Sequence, residues 1–358
     1  MVRNDYQPAL TGIRAIAAWM VFVHHFIPFS AASNPFLHNL AFAFHIGVSI
    51  FFVLSGFLIF YRYQPLTGER AWVGIYLRNR FARIFPLLFV LTLITYVVSN
   101  VRINGGPGIL PAFLLNITLL NGYFADLKFM GISQAWTLTV EETFYLLAPL
   151  IFMIRSRFQL LFVPVVALMV GFLLVLLSRD SYFFGDNHFM LTYTFFGRCT
   201  EFCTGVFLGM TFRRDKAPRQ GLYTHIGSFL IVVVIVALAF LRTNNPSTSL
   251  NYDEIMINNF LLPLCIGIFF YGLLTEPTWL AMILSSRFFN VAGKSSFAFY
   301  LIHIGVIQQF LSRTVTGNPV VLFVILNLIA IVLYYIFEKP MQRLIGVKNN
   351  EFSTGRNG

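Results

Sequence analysis

Charged residues are scarce in this chain. Only 11% of its 358 residues are Asp, Glu, Lys or Arg, whereas 57% are hydrophobic and 42 are Phe. Typical soluble domains carry about 25% charged residues. A soluble core cannot enclose so much apolar surface, but a lipid bilayer can. The shortage of charge therefore argues against an ordinary soluble domain and predicts an all-α, polytopic integral membrane protein with about ten transmembrane helices.

Acidic residues are scarcer still. The 14 Asp and Glu residues stand against 25 Lys and Arg residues, which gives a net charge of +11. In a soluble protein such a balance would indicate a nucleic-acid partner. Here the basic residues fall between apolar runs, where the positive-inside rule of membrane proteins accounts for them. We therefore expect membrane lipids, and no nucleic acid, as partners.

Cysteine is almost absent. Cys199, Cys203 and Cys265 lie within apolar runs, so no disulfide is expected, and no metal-ligand spacing is present. The spacing of four residues between Cys199 and Cys203 places both on one helix face, which favours a helix–helix contact. The sequence thus predicts no metal site.

Apolar runs of about 20 residues recur along the chain, as the bilayer thickness requires of transmembrane helices. The first run carries Arg14, His24 and His25 and is too long for a signal peptide, so we interpret it as a retained helix. With the N-terminus inside, most Lys and Arg residues fall on the cytoplasmic side, which predicts that both termini are cytoplasmic. We expect residues 1–344 to form the membrane domain and 345–358 a polar cytoplasmic tail. The predicted spans are about 8–29, 41–61, 84–100, 136–154, 159–178, 191–212, 222–242, 257–275, 294–313 and 318–337.

Residues 101–135 form the least regular part of the pattern. The run 108–124 is apolar, but it contains Pro111, Asn116 and Asn121. Taken as a full span, it would reverse the orientation of everything after it and spoil the charge distribution. We expect a segment on the outer face, either interfacial or re-entrant.

Several ionisable residues lie inside the predicted spans, where each charge costs about 2.5–3.5 kcal/mol. Their presence indicates pairing or function. Arg14 and His25 are separated by about 1100° of helical rotation, so they share a face, about 16 Å apart along the axis. His24 points about 100° away. The full set is Arg14, His24, His25, Glu141, Glu142, Arg198, Glu201 and His303.

His25 and Glu141 are predicted to lie at nearly the same depth, on the first and fourth spans. A carboxylate there would hold the imidazole in one tautomer and raise its basicity, as general-base catalysis requires. Tyr145 follows Glu141 by four residues and shares its helix face, whereas Glu142 points elsewhere. We expect His25, Glu141 and Tyr145 to form a catalytic site, although a structural role for His25 fits the sequence equally well.

Other polar residues allow simpler explanations. His303 lies in mid-span, where a helix–helix hydrogen bond would account for it. Arg198 and Glu201 are three residues apart and can pair with each other. Arg80 and Arg83 lie on adjacent turns, where two guanidiniums fit either a clamp for phosphate groups or a simple topology anchor.

Six stretches of the chain form a recognisable series: Leu10–Ala18 followed by His25, Gly47–Ile59, Arg80–Pro86, Trp136–Tyr145, Ser295–His303 and Phe337–Pro340. In this order they resemble the motifs of the membrane-bound acyltransferase-3 family, and the series covers nearly the whole chain. The departures are modest. Thr11 and Ser49 stand where Asp is common, and Thr137 replaces a Ser but keeps its hydroxyl.

The resemblance implies an enzyme that moves an acyl group, typically acetyl, onto hydroxyls of carbohydrates, with His25 as the essential catalytic residue. It implies acetyl-CoA or another acyl-CoA as cytoplasmic co-substrate, with no permanently bound cofactor. The resemblance also implies a carbohydrate or glycolipid acceptor and a location in a bacterial inner (cytoplasmic) membrane. Many relatives carry a fused periplasmic domain, which is not expected here. The other residues implied to serve the site are Arg14, Arg80, Arg83, Glu141 and Tyr145.

Two functions of other classes also account for parts of the sequence. A transporter or flippase of a lipid-linked sugar would also place buried charges among ten helices, but broken paired helices and an inverted repeat are not evident. A membrane scaffold would leave His25 and Glu141 unexplained. Turnover of an acyl-CoA thioester by membranes distinguishes the enzyme from both.

Overall fold

The computed structural model describes residues 7–68, 72–98, 108–179, 183–212, 221–247 and 249–347. Within these ranges the chain is helical, and the only extended pairing is an isolated bridge between Phe124 and Phe183. The prediction of an all-α fold is confirmed for the described residues.

Ten helices carry most of the described fold, and each overlaps one predicted span. Local sequence fixes several of their ends. Pro8 begins the first helix, where its missing N–H costs no hydrogen bond, and the Asn318 side chain accepts the backbone N–H of Val320 at 2.9 Å at the start of the last. The helices are α1 Pro8–His25, α2 Gly47–Tyr63, α3 Trp72–Val98, α4 Trp136–Phe152, α5 Phe162–Leu177, α6 Phe195–Phe212, α7 Leu222–Asn244, α8 Leu262–Thr275, α9 Arg287–Ile302 and α10 Pro319–Leu333.

Shorter helical segments connect these ten. A short π-helix at Ile257–Leu261 joins the helix Tyr252–Met256 to α8. Another at Tyr334–Glu338 joins α10 to the helix Lys339–Ile345. The remaining short helices are Pro35–Phe42, Ile109–Ile117, Arg157–Leu160, Asn187–Tyr193, Trp279–Leu284 and Val306–Thr314, with 3-10 turns at Ala43–Ile46, Gln64–Leu66, Leu120–Tyr123 and Ser133–Ala135.

Six continuous helices of the described chain are long and apolar enough to cross a bilayer. Helices α1, α4, α6 and α9 are not among them, because α4 and α9 have only 17 and 16 residues and because charged and polar side chains lower the hydropathy of α1 and α6. A multi-pass membrane protein is therefore supported, whereas the count of about ten spans stays a prediction. The six are Pro35–Leu66, Trp72–Val98, Arg157–Leu177, Leu222–Asn244, Tyr252–Thr275 and Pro319–Ile345.

The four less apolar helices pack within the bundle. Helix α1 packs against α2 and α9, and α6 packs along α2. By contrast, only 17% of the most apolar stretch of Arg157–Leu177 is buried, and the value for Pro319–Ile345 is the same. Their outward surface is rich in Leu, Val and Phe, which suits a lipid environment. The apolar helices thus shield the helices that carry charge.

Two predicted boundaries differ from the structure. Helix α3 begins at Trp72 rather than near residue 84, because the basic residues in its first turns lower the hydropathy without ending the helix. The predicted span 294–313 is divided, since α9 ends at Ile302 and a separate helix follows Gly305. A φ of 105° at Gly305 changes the chain direction there.

The segment 108–135 does not cross the bundle as one helix. Ile109–Ile117 has nine residues and a length of about 14 Å, short of the roughly 30 Å hydrocarbon core. The buried Asn116 amide donates to the Tyr96 hydroxyl at 3.0 Å.

Residues 101–107 and 348–358 lie outside the described residues, so the predicted tail is not tested. The same holds for several basic residues used for the orientation: Arg3, Arg70, Arg102, Arg213, Arg214, Lys216, Arg219, Lys348 and Arg356.

Two glycines set the close approach of α2 and α6. A Cβ at Gly56 would clash with the backbone carbonyl of Phe202, and a Cβ at Gly205 would clash with that of Val53. Because the clashing atoms belong to helix backbones, no side chain can move aside. The α2–α6 pair therefore requires glycine at both positions.

We expect Gly205→Ala to destabilise the protein by about 1–3 kcal/mol, because the added methyl overpacks this contact. Gly74→Ala is the matched control, since Gly74 is an exposed helical position with no atom within 4 Å of an added Cβ. It should leave stability unchanged or raise it by about 0.5–1 kcal/mol. Thermal unfolding in detergent measures both. Equal stability of the two variants would contradict the close packing.

Candidate active site

Two cavities meet in the middle of the bundle. The larger has a volume of about 540 Å³ and the smaller about 70 Å³. Val48 on α2 and Tyr300 on α9 line both of them. Both residues are buried, and the Tyr300 hydroxyl lies 3.0 Å from the Thr137 hydroxyl. These side chains form the boundary between the two chambers.

Histidines gather at the larger cavity. His24 and His25 end α1, and His45 enters from the turn before α2. The ring centroids of His24 and His25 are 4.7 Å apart, and His303 at the end of α9 lies 5.4 Å from His25. Of these four rings, His25 is the exposed one, whereas His303 is fully buried. The His25 imidazole therefore faces the open chamber.

Backbone carbonyls fix the tautomers of the other three histidines. The Nδ1 atoms of His24 and His45 lie 2.6 and 3.0 Å from the carbonyl oxygen of Phe42, and Nδ1 of His303 lies 2.7 Å from that of Tyr300. A carbonyl oxygen only accepts, so each Nδ1 is assigned the proton. Each Nε2 of a neutral ring is then an acceptor, and that of His45 accepts from Asn258 at 2.8 Å.

The smaller cavity is the basic one. Arg14, Arg80 and Arg83 line it together with Glu141 and Tyr145. The Tyr145 hydroxyl donates to a Glu141 carboxylate oxygen at 2.8 Å, as expected of residues four apart on one helix. Five of the six predicted site residues thus share this cavity, and His25 alone lies in the other.

Aromatic rings hold Arg80 in place. Its guanidinium carbon lies 5.6 Å from the centroid of the Tyr63 ring and 5.8 Å from that of Tyr145, within the range of cation–π attraction. The Arg80 side chain is buried, and its Nε has no hydrogen-bond partner among the described residues. Arg83 is only half-buried and is thus the more accessible cation.

Glu338 is a buried carboxylate near this cluster that sequence reasoning missed. It accepts from the Gln342 amide at 2.9 Å. Arg83 and Arg14 of the basic cavity are near enough to act on its charge, although Glu338 itself does not line the cavity. The motif Phe337–Pro340 was the available signal, but it gave no indication that the glutamate would be buried near these arginines.

The expected contact between His25 and Glu141 is not formed. The two side chains line different cavities, and no hydrogen bond joins them in the described part of the chain. The prediction placed the end of the first span near residue 29, but α1 ends at His25 itself. This difference of about four residues places the imidazole at the end of the helix, whereas the prediction placed it about 6 Å inside.

Comparison with known proteins decides the family. The family model described as "Acyltransferase domain" matches residues 7–339. This chain belongs to the acyltransferase-3 family. The resemblance carried by the sequence motifs is thereby confirmed. No solved structure gives a significant match to this acyltransferase.

The relatives of this acyltransferase carry the names of O-acetyltransferases. A candidate O-acetyltransferase of Staphylococcus aureus (strain MSSA476) is 28% identical over 96% of this chain and 58% of the relative. The peptidoglycan O-acetyltransferase OatA of Listeria monocytogenes is 25% identical over 85% and 50%, respectively. The O-acetyltransferase OatA of Staphylococcus aureus (strain NCTC 8325) is 26% identical over 96% and 58%. The chain therefore spans between 50% and 58% of the length of these relatives.

Elsewhere in the acyltransferase, Arg198 and Glu201 form the predicted pair. Two guanidinium nitrogens of Arg198 each lie 2.8 Å from a Glu201 carboxylate oxygen, and another bond of 3.1 Å reaches Ser49. Cys199 and Cys203 lie between helices with their sulfurs 3.7 Å apart. In the described ranges, no group of three or more His, Cys, Asp or Glu residues is arranged to hold a metal ion.

We expect Arg198→Met to destabilise the protein by about 3–5 kcal/mol, because it leaves the fully buried Glu201 charge unpaired. The double variant Arg198→Met/Glu201→Leu removes both charges and should recover most of this loss. Chemical unfolding in detergent compares the three proteins. A single variant as stable as the parent would show that the pair is not structural.

Proposed function

We propose that this chain is an O-acyltransferase that moves an acyl group, most simply acetyl, from acyl-CoA to a hydroxyl of a carbohydrate acceptor. One observation carries the proposal: the exposed His25 imidazole faces a large chamber that adjoins a basic one at Val48 and Tyr300. A volume of about 540 Å³ lies in the range of small-molecule sites. The family match and the names of the relatives support the acyl transfer.

The proposed reaction takes place where the chambers meet. The acceptor hydroxyl enters the larger chamber, and His25 removes its proton as the oxygen attacks the thioester carbonyl. The carbon–sulfur bond breaks, and the imidazolium returns the proton to the CoA thiolate. A covalent acyl-histidine is the alternative route. Single-turnover trapping with labelled acetyl-CoA separates the two, since only the covalent route leaves label on the protein.

The basic cavity is the proposed donor side. Arg14, Arg80 and Arg83 would attract the phosphate groups of acyl-CoA, because guanidinium groups bind phosphate with paired hydrogen bonds. Glu141 and Tyr145 line the same cavity, and the Tyr145 hydroxyl donates to Glu141. We propose that Glu141 holds the Tyr145 hydroxyl toward the incoming thioester while balancing the local positive charge.

The direction of α1 supports a proposal for the class of acceptor and for the membrane face that the site reaches. Because His25 is at the end of α1 opposite to the N-terminus, cytoplasmic termini would place it toward the outer face of a bacterial inner membrane. A surface polysaccharide or glycolipid is the acceptor class that such a site would reach. One relative is named for peptidoglycan, which is a carbohydrate polymer of this kind. Acyl-CoA would then arrive from the cytoplasm and meet Arg83 and Arg80 first.

We expect His25→Ala to lower acyl-CoA turnover at least about 100-fold, because it removes the proposed base from the larger cavity. His188→Ala is the matched control, since His188 bonds the Leu250 carbonyl at 2.7 Å and lines neither chamber. Release of free thiol from acetyl-CoA by purified protein in liposomes measures both. Full activity of His25→Ala with normal insertion would overturn the assignment.

We expect Arg83→Gln to raise the KM for acetyl-CoA about tenfold, the loss caused by one charge-assisted contact, with little effect on stability. Adding Arg80→Gln should raise KM further and also lower stability, because Arg80 packs on Tyr63 and Tyr145. The control is Arg78→Gln, an exposed position on the same helix. An unchanged KM in the double variant would reject the phosphate clamp.

A further inference from the structure

His303 carries a buried nitrogen that the fold leaves without a partner. The residue follows the last turn of α9, is 0% exposed, and has its Nδ1 2.7 Å from the Tyr300 carbonyl oxygen. Its Nε2 makes no hydrogen bond among the described residues. With Nδ1 protonated, that atom is an acceptor. An unsatisfied buried acceptor costs about 1–3 kcal/mol, so its retention needs a reason.

His25 carries the ring from another helix that contacts His303. The two ring centroids are 5.4 Å apart and the ring planes are inclined by 39°. Two imidazoles joined by an in-plane N–H···N bond have centroids about 5 Å apart, given an N···N distance of about 2.9 Å. The separation of the rings therefore already suits such a bond, and a rotation of the exposed His25 ring into line with Nε2 of His303 would complete it. The Phe299 ring lies nearly parallel to that of His303, at 11°, with centroids 6.1 Å apart.

Other polar groups beside His25 are less suited to this bond. The His24 ring is closer, at 4.7 Å between centroids, but it is inclined by 68° to the His25 ring and comes from the same helix. Nε2 of His45 is taken by Asn258. Arg198 donates to Glu201 and Ser49 and is itself only a donor. Among the described residues, His303 thus carries the unpartnered ring acceptor from another helix that is in contact with His25.

The backbone around His303 is fixed from a third element. The Gln134 side-chain amide nitrogen lies 3.1 Å from the carbonyl oxygen of Tyr300 and 2.7 Å from that of Leu301. It also lies 3.3 Å from the carbonyl oxygen of Ile304. The carbonyls of Leu301 and Ile304, at and just beyond the end of α9, would otherwise lack partners. A rigidly held acceptor is what orientation of a neighbouring ring requires.

We propose that His303 is a positioning residue for His25. Its Nε2 accepts the ring N–H of His25, which fixes the protonated nitrogen of that imidazole and leaves the other nitrogen as the base facing the larger chamber. When His25 takes the acceptor proton, the same bond becomes charge-assisted and stabilises the imidazolium. This role, assigned to Glu141 on sequence grounds, falls to a second histidine. The inference rests on the proposed function of His25.

Two substitutions distinguish the roles of the two ring nitrogens of His303. Asn places an amide nitrogen near the position of Nδ1, so it keeps the bond to the Tyr300 carbonyl and removes the acceptor at Nε2. Gln reaches farther and presents its amide oxygen near the position of Nε2. We expect His303→Asn to lower kcat for thiol release about tenfold or more with an unchanged KM for acetyl-CoA. His303→Gln should stay within about threefold of the parent.

A spectroscopic measurement tests the orientation without activity. Protein labelled with ¹⁵N-histidine is placed in liposomes, and solid-state NMR reads the His25 ring nitrogens, assigned by their loss in His25→Gln. We expect one neutral tautomer in the parent and in His303→Gln, and a mixture in His303→Asn. The same Asn and Gln pair at His24, whose Nδ1 also bonds a carbonyl, is the control and should leave the His25 tautomer single.

The possible outcomes distinguish this inference from the proposed function. If His25→Ala is active, the proposed function itself fails. If His25→Ala is inactive but His303→Asn keeps full kcat and a single His25 tautomer, only the positioning role is wrong. A variant that is active as Asn and inactive as Gln would assign His303 to the Tyr300 contact instead. Should His303→Asn not fold, the His25 tautomer in His303→Gln decides, and a mixture there overturns the role.

Discussion

The balance of buried charge between arginines and carboxylates is the constraint on which the bundle depends. Arg198 pairs with Glu201 at 2.8 Å, Arg242 pairs with Glu254 at 3.1 Å, and all four side chains are buried. A separated charge among apolar helices is costly, and each partner removed leaves the other unpaired. Helices that carry such groups must face inward, and only then can strongly apolar helices such as α5 and α10 cover them. The interior polarity and the lipid-facing surface are therefore two results of one constraint.

The two chambers differ in the way they hold their polar groups. In the basic one, arginines share the cavity with the Glu141 carboxylate. The aromatic rings of Tyr63 and Tyr145 supply further attraction to Arg80. At the larger one, His24 and His45 on the lining and the adjoining His303 bond backbone carbonyls, so the fold itself sets their tautomers. An arginine-rich donor side and an acceptor side with fixed histidine tautomers are the environments that a CoA thioester and a sugar hydroxyl would respectively need.

Helical periodicity in the sequence predicted the contacts between residues of the same helix. Tyr145 bonds Glu141 four residues away, and Arg198 bonds Glu201 three residues away, because helix geometry alone brings such pairs together. The all-helical fold was also predictable, since the apolar composition permits little else. The contact between the His25 and His303 rings was not, because it depends on where α1 ends and how α9 is rotated. Hydropathy fixes helix ends only to within a few residues, which is enough to change the partner of a side chain.

Tyr300 contacts both cavities, helix α4 and His303. Its ring lines both chambers, its hydroxyl contacts Thr137 on α4, and its carbonyl accepts from His303 and Gln134. Any motion of α9 that opened a wider passage between the chambers would thus also disturb the histidine beside His25. If the thioester is attacked at this boundary, the same helix end would control both access and proton transfer. Such coupling would limit hydrolysis, because a chamber open to water would also lack an oriented base.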